Sequence, residues 1–247
     1  TLLRLEEVTE RQKPGIGGKA FALAVLARSG FQVPDALCVS TRAYELFVQE
    51  NDLSRRIALE MGRKPFEAMR WEEIWDSALR IRNLFAKSRL PAGLESELAR
   101  GIAAQFGEER VSVRSSAPGE DSGSTSFAGL HESFVNVRGL RDILERIKLV
   151  WASLWSDRAL MYRKEIGLDP LKSAMAVLIQ EMAAGDCSGI VFGKNPNDAS
   201  QTVIEAVHGL NQGLVDGTVE PDRWLLDRKT GRIQKRHPAS RRESIML

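Results

Sequence analysis

The chain has 247 residues, of which 43% are hydrophobic, enough to bury a sizeable core in one large domain or two smaller ones. Lysine and arginine total 35 against 33 acidic residues, a formal net charge of +2, so no overall field favours a nucleic acid or a membrane surface as partner. Cys38 and Cys187 show no disulfide spacing, and no signal peptide or bilayer-length apolar run is visible, which predicts a cytoplasmic protein.

The first part of the chain is predicted to be rich in helices. After GIGGKA, one helical face is formed by Ala22, Val25, Leu26 and Ser29, and Gly30 is a helix stop before the strand-like segment FQVPDALCVS. Helical spacing predicts a mostly helical region over 41–106, in which 51–70 is a polar linker, and a long helix from Leu140 to Leu154. The apolar residues at this spacing are Ile74, Ala78, Ile81 and Phe85, then Leu94, Leu98, Ile102 and Phe106, then Ile143, Ile147 and Trp151.

Tryptophans also recur at helical spacing. We expect Trp71, Trp75, Trp151 and Trp155 to be core or subdomain contacts rather than platforms for stacking bases.

From about residue 172 the composition changes to short β-prone runs separated by Gly, Asp, Asn and Pro. SAMAVLIQEM, CSGIVFG and TVIEAVHG are predicted to be neighbouring strands. RWLLDRKTGRIQKRH is predicted to be a hairpin with Gly231 at a positive-φ turn position. Helices followed by an antiparallel or mixed sheet indicate the α+β class.

The segment VRSSAPGEDSGSTSFAG, residues 113–129, carries the first candidate site. Val111 and Val113 alternate with polar residues, as in a half-buried strand, and a loop rich in glycine and hydroxyls follows. Such a loop can bring N–H groups and hydroxyls to phosphate oxygens, with Arg114 at its base as a permanent planar charge. The alternative is a solvent-exposed connection whose serines cap turns.

A second candidate is KPGIGGKAFALAVL, in which glycines precede Lys19 at the start of a helix. Helix starts attract anions, and a lysine there can reach an anionic ligand. It is not a Walker A loop, because Ala20 stands where that motif has Ser or Thr. The alternative is a glycine turn with a solvated lysine.

In order along the chain, several segments resemble the N-terminal ATP-binding domain of the phosphoenolpyruvate synthase and pyruvate phosphate dikinase family, which also includes rifampicin phosphotransferase. The resemblance runs from about Gly15 to Arg236, and its second segment is long and specific. The segments are GGKAFALAVLARSGFQVPDALCVS, VSVRSSAPGEDSGSTSFAGLHESFVNVRG, VWASLWSDRALMYR, LIQEM, SGIVFGKNP and EAVHGLNQGLVDGTVEPD.

The resemblance implies an ATP-grasp-like fold in which two subdomains enclose a nucleotide cleft. Residues 1–109 would form a mostly helical subdomain with the glycine-lysine segment, and residues 110–247 a second subdomain with the lid loop, the sheet and the hairpin. In the complete protein, ATP would phosphorylate a histidine on a separate swivelling domain, for transfer to pyruvate. The alternatives are a rifampicin phosphotransferase-like enzyme that acts on another acceptor, and a nucleotide-binding module that does not catalyse.

The resemblance also assigns roles to individual residues. Lys19 and Arg114 match phosphate contacts and are the catalytic candidates. Gly129 and Ser133 match the lid loop and the following strand, where the family touches the nucleotide. Gln180 matches a glutamine beside the adenine, with Glu181 and Met182 next to it.

Two departures from the family are visible. The family usually has GLGE in its late motif, whereas this chain has Gly209, Leu210, Asn211 and Gln212, and we expect the change to affect a structural turn. The family's metal-holding glutamate follows the hairpin, so we expect no metal ligand set in this chain, Mg²⁺ ligands mostly beyond it, and no turnover by the chain alone.

The three histidines, His131, His208 and His237, lie outside the motif of the family's phosphate-accepting histidine domain. We expect His131 to be a structural imidazole.

Overall fold

The structure is a computed structural model that describes residues 1–118, 121–122, 125–126 and 130–240, with the description confined to the backbone at 121, 122, 125 and 126. The chain divides into two compact units, Thr1–Met182 and Ala183–Leu247. None of the helices in the described ranges combines the length and the apolar character that crossing a bilayer requires.

The strands of the first unit, numbered in chain order, are β1 (Leu2–Arg4), β2 (Ala36–Val39), β3 (Val111–Ser116), β4 (Asp121–Ser122), β5 (Thr125–Ser126), β6 (Ser133–Val137) and β7 (Ala176–Glu181). Five of them form a sheet with the order β1-β2-β7-β3-β6, in which neighbouring strands are antiparallel. β4 and β5 form a separate antiparallel pair.

The helices of the first unit are α1 (Lys13–Arg28), α2 (Thr41–Glu50), α3 (Leu53–Met61), α4 (Trp71–Lys87), α5 (Ala92–Phe106), α6 (Leu140–Ser153) and α7 (Asp157–Glu165). Short 3-10 turns cover Leu5–Glu7, Phe66–Ala68 and Pro170–Lys172. The α+β class and the mostly helical region over 41–106 are confirmed. The segment expected to be a polar linker contains α3, because Leu53, Ile57 and Met61 recur at helical spacing and are buried.

The two faces of the five-stranded sheet pack against different helices. Val113 and Ile179 belong to the larger hydrophobic cluster, which the helices after β2 and β3 complete. Leu178, the neighbour of Ile179 on β7, belongs to the smaller cluster with Cys38 and the α1 residue Ala20. Because successive side chains of a strand point to opposite faces, α1 covers one face and the other helices cover the opposite face.

The predicted apolar face of α1 is wrong. Val25 and Leu26 are 39% and 41% exposed, and Ala22 and Ser29 are exposed as well. The buried face consists of Ile16, Ala20 and Ala24, at intervals of four residues. The small side chains of Ala20 and Ala24 let the helix backbone approach the sheet closely. Tertiary packing therefore buried this face rather than the one that contains Val25 and Leu26.

The expectation for the tryptophans holds for two of the four. Trp151 and Trp155 are 0% and 2% exposed, whereas Trp71 and Trp75, on α4, are 57% and 48% exposed. α4 buries Ile74, Ala78, Ile81 and Phe85 instead, as their spacing predicted. Because those four residues form the side of α4 that packs against the core, Trp71 and Trp75 lie on the solvent-exposed side of the helix.

The second unit contains β8 (Cys187–Phe192), β9 (Gln201–His208), α8 (Gln212–Val215), β10 (Asp222–Asp227) and β11 (Ile233–His237). Its four-stranded antiparallel sheet has the order β11-β10-β9-β8. The predicted hairpin is confirmed as β10 and β11, with Gly231 at φ 69°. Of the three runs expected to be neighbours, only β8 and β9 pair, because β7 belongs to the sheet of the first unit.

β3 has an unexpected place in the fold. The alternation of Val111 and Val113 indicated a half-buried strand, and the family resemblance implied a second subdomain from residue 110. β3 lies between β7 and β6 within the first unit. Its buried positions include Val111, Ser112, Val113, Ser115 and Ser116, with Arg114 partly exposed. The first unit ends at Met182, and the second begins at Ala183.

Candidate functional site

The segment that carries Lys19 is a helix with an internal break. Gly17 has φ 75° and ψ 173° inside α1, so the helix is divided into an initial turn and a longer segment that carries Lys19 in its first turn. A Cβ atom on Gly17 would lie 2.2 Å from the carbonyl oxygen of Ser116 on β3. Glycine is required there both for the positive φ and for the close approach of two backbones.

Arg114 lies in the middle of β3 on the face that α1 covers. It is directly opposite Leu178 of β7 and Ser133 of β6. Residues directly opposite each other in an antiparallel pair have side chains on the same face. Arg114 and Ser133 therefore share the face on which Leu178 meets α1.

Gln180 lies on the same face, two residues after Leu178 on β7. It is 8% exposed, and its side-chain Nε2 donates to the carbonyl oxygen of Pro34 at 3.2 Å. The carbonyl oxygen of Gln180 accepts from the Ser112 hydroxyl at 3.4 Å. These contacts hold Gln180 between β3 and the segment before β2.

The end of β7 is fixed through its backbone. The Glu181 N–H donates to the carbonyl oxygen of Asp35 at 2.9 Å, and the Met182 N–H donates to that of Arg110 at 3.0 Å. The Glu181 side chain is exposed and, by alternation along the strand, faces away from Gln180.

The structure therefore places three of the predicted site residues, Arg114, Ser133 and Gln180, on one face of the sheet. Lys19 lies on the helix that covers this face. Glu181 is directed to the other face, and Met182 follows the end of the strand. Gly129, predicted to touch the nucleotide from the lid loop, lies outside the described residues.

The imidazole of His131 is affected by the positive charges of both Arg163 and Lys19. The pKa of His131 is lowered to about 4, mainly by burial and then by the positive charge of Arg163, with a smaller effect from Lys19 and an opposing hydrogen bond with the Ser153 backbone. Neutral His131 is therefore favoured at physiological pH. Its low exposure agrees with the expected structural imidazole, and its neighbours show that it lies in a region of positive potential.

Arg163, the last residue of the VWASLWSDRALMYR segment, is a buried cation that the sequence pattern did not single out. It is 3% exposed, and its Nη1 donates to the carbonyl oxygen of Leu154 at 2.6 Å. Burial lowers its pKa to about 10, so it remains charged at neutral pH. Together with His131, Pro14 and Ala117, it lines a cavity of about 550 Å³.

The altered late motif forms a turn in the second unit. Gly209 has φ 74°, and its N–H donates to the carbonyl oxygen of Asp186 at 2.8 Å. Asn211 precedes the single-turn helix α8, which Gln212 begins. Gly209 is therefore a conformational requirement of the turn.

In the described part of the chain, no group of three or more His, Cys, Asp or Glu side chains could hold a metal ion. These residues do not fit a complete Mg²⁺ site, which would need several oxygen ligands around the ion.

The chain belongs to the family described as the pyruvate phosphate dikinase AMP/ATP-binding domain, which it matches over residues 13–246. The fold class and the ordered motifs agree with this membership.

Individual relatives extend the comparison. The chain is 34% identical to the phosphoenolpyruvate synthase of Aeropyrum pernix, over 92% of this chain and 28% of that protein. It is 29% identical to the phosphoenolpyruvate synthase of Pyrococcus furiosus, over 94% of this chain and 33% of that protein. It is 32% identical to the rifampicin phosphotransferase of Bacillus subtilis, over 99% of this chain and 28% of that protein. The chain thus spans at most 33% of the length of these relatives.

Proposed function

We propose that this chain is the ATP-grasp-like, ATP-binding part of a phosphotransferase of the phosphoenolpyruvate synthase type. In the whole protein, a phosphoryl group from ATP passes to a histidine on a separate domain and then to pyruvate. The family membership supports ATP as the nucleotide. Phosphoryl transfer, the histidine and pyruvate are proposed by analogy with the longer relatives.

The observation that supports the proposal is that Lys19 belongs to α1, the helix that covers the face of the sheet on which Arg114 lies. One cation lies on α1 and the other on β3, which packs against it. A triphosphate concentrates several negative charges, and fixed cations stabilise both the bound nucleotide and the charge that develops during transfer. Ser133, directly opposite Arg114, supplies a neutral hydrogen-bonding group beside it.

The purine is proposed to lie at the end of β7, beside Gln180 and Met182. The N–H groups of Glu181 and Met182 already donate to Asp35 and Arg110. Purine recognition would therefore depend on carbonyl oxygens and on the apolar Met182 side chain, as is usual for pockets with an apolar wall and a few polar groups. Gly129 is proposed to approach the phosphates from the lid loop.

Mg²⁺ is proposed to be held mostly by residues beyond this chain.

A second acceptor is supported by the 32% identity to a rifampicin phosphotransferase over 99% of this chain. That value is close to the 34% found for a phosphoenolpyruvate synthase. An alcohol of the rifampicin type is therefore the alternative acceptor, and the domains that follow in the whole protein decide between the two.

The test uses the whole natural protein that contains this chain. ATP consumption and phosphorylated product are followed in the presence of Mg²⁺ and either pyruvate or rifampicin. Lys19→Ala and Arg114→Ala should each lower the rate by about 10- to 100-fold, since a charge-assisted hydrogen bond contributes about 1.5–3 kcal/mol.

Matched controls are Lys87→Ala and Arg100→Ala, which remove exposed cations from α4 and α5. They should leave the rate unchanged. Wild-type rates in the Lys19 or Arg114 variant would remove that residue from the site. ATP binding without transfer to either acceptor would instead favour a nucleotide-binding module that does not catalyse.

A further inference from the structure

The break in α1 is closed by a side chain from β3. The Ser116 hydroxyl donates to the carbonyl oxygen of Ile16 at 2.6 Å and accepts from the N–H of Ala20 at 3.2 Å. In an unbroken α-helix the Ala20 N–H would donate directly to the Ile16 carbonyl, four residues earlier. The serine hydroxyl therefore takes the place of one helical hydrogen bond.

The break and the serine depend on each other. Ser116 is 0% exposed, so its hydroxyl must find partners within the protein. Gly17 supplies the open backbone between those partners, with φ 75°. Side chains that insert into the hydrogen-bond ladder are a recognised cause of helix kinks.

β3 also carries Arg114, two residues before Ser116 and on the same face. β3 thus positions both proposed phosphate contacts. Arg114 belongs to the strand itself, and Lys19 is held through its neighbour Ala20, whose N–H donates to the Ser116 hydroxyl. We infer that Ser116 is a positioning residue that sets the placement of Lys19 relative to Arg114. This inference rests on the proposed function.

The physical consequence follows from the two hydrogen bonds. Without the hydroxyl, Ile16 and Ala20 must either close a direct bond, which changes the kink, or leave a buried pair unsatisfied. Both outcomes displace the first turn that carries Lys19. Displacements of about 1 Å at a positioning contact are enough to cost activity.

The experiment measures the ATP dissociation constant of the whole protein by titration calorimetry. Ser116→Ala should weaken ATP binding by about tenfold, the equivalent of one hydrogen bond. Ser115→Ala is the matched control, because Ser115 is 2% exposed on the same strand but on the opposite face. It should bind ATP like the wild type.

A double-mutant cycle with Lys19→Ala separates positioning from general damage. If Ser116 acts through Lys19, Ser116→Ala should change ATP affinity less than about twofold once Lys19 is absent, since coupled residues are not additive. The same loss in both backgrounds, or wild-type affinity in Ser116→Ala, would overturn the inference.

Ser116→Cys guards against failure of the alanine variant to fold, since a thiol keeps a similar size but is a weak hydrogen-bonding group. It too should weaken ATP binding, and wild-type affinity in this folded variant would overturn the inference. If Lys19→Ala itself keeps wild-type affinity, Lys19 is removed from the site and the inference fails with it, whereas the proposed function fails only if the wild type does not bind ATP. Loss on Lys19→Ala with no loss on either Ser116 substitution rejects the positioning role alone.

Discussion

Within α1, replacement of Gly17 should lower the stability of the protein the most. Gly17→Ala adds a Cβ atom 2.2 Å from the carbonyl oxygen of Ser116 at a φ of 75°. Strain and overpacking together should lower the free energy of unfolding by about 3 kcal/mol. Urea unfolding followed by circular dichroism measures this change.

The control for that prediction is Gly93→Ala. Gly93 lies in α5, and a Cβ atom there would meet nothing within 4 Å. Alanine is the better helix former, so stability should be unchanged or rise by up to about 1 kcal/mol. Equal effects of the two substitutions would show that the contact with Ser116 does not constrain the helix.

His131 should make the stability of the protein depend on pH. Its pKa is lowered to about 4 by burial, then by Arg163 and Lys19, against about 6.5 in an unfolded chain. Between these values the unfolded state binds a proton that the folded state does not, so stability is full above pH 6.5 and falls toward pH 4. The loss attributable to His131 should be up to about 3 kcal/mol.

The measurement compares urea unfolding of the wild type and His131→Gln between pH 7 and pH 4.5. The glutamine variant cannot take up this proton, so its stability should fall less over the same range. Parallel pH profiles in the two proteins would contradict the assignment, whatever their absolute stabilities.

At the scale of elements, α4 and α6 use their tryptophans differently. Trp151 of α6 is 0% exposed and Trp75 of α4 is 48% exposed. Trp151→Ala should cost about 3–5 kcal/mol because it leaves a large cavity, whereas Trp75→Ala should cost less than about 1 kcal/mol. Denaturant midpoints of the two variants, measured side by side, test the difference. Similar losses would mean that Trp75 is covered in the folded protein.

α5 and α1 show how far helical periodicity predicts which face of a helix is buried. Leu94, Leu98 and Ile102 form the buried face of α5, as their spacing predicts, because all three positions carry large apolar side chains. In α1, two stripes fit the helical period, and the one with the larger side chains is exposed. Periodicity identifies a helix, but the shape of the opposing surface selects its buried face.

At the scale of the whole molecule, the two units differ in the core that each contains. Both hydrophobic clusters lie entirely within the first unit. Among the described residues of the second unit, the buried hydrophobic ones are Val203 and Val207. Because hydrophobic burial is the main favourable term in folding, the first unit should be the independently stable one.

We therefore expect a chain of residues 1–182 to fold by itself and to unfold cooperatively, and a chain of residues 183–247 to lack a cooperative transition. A small unit with few buried apolar side chains is only marginally stable. Thermal unfolding of the separate pieces by circular dichroism measures both. A cooperative transition in the second piece, or its absence from the first, would contradict this division of stability.

The sequence by itself determined the α+β class, the helices over 41–106, the hairpin around Gly231 and the ordered motifs of the ATP-binding family. These features depend on local periodicity, turn residues and motif order, which can be read from residues close together in the chain. Only the tertiary structure decided that β3 lies inside the first sheet, that Arg114, Ser133 and Gln180 share one of its faces, and that the Ser116 hydroxyl bridges Ile16 and Ala20. Strand order and register join residues far apart along the chain, and they are set by long-range packing that local patterns do not encode.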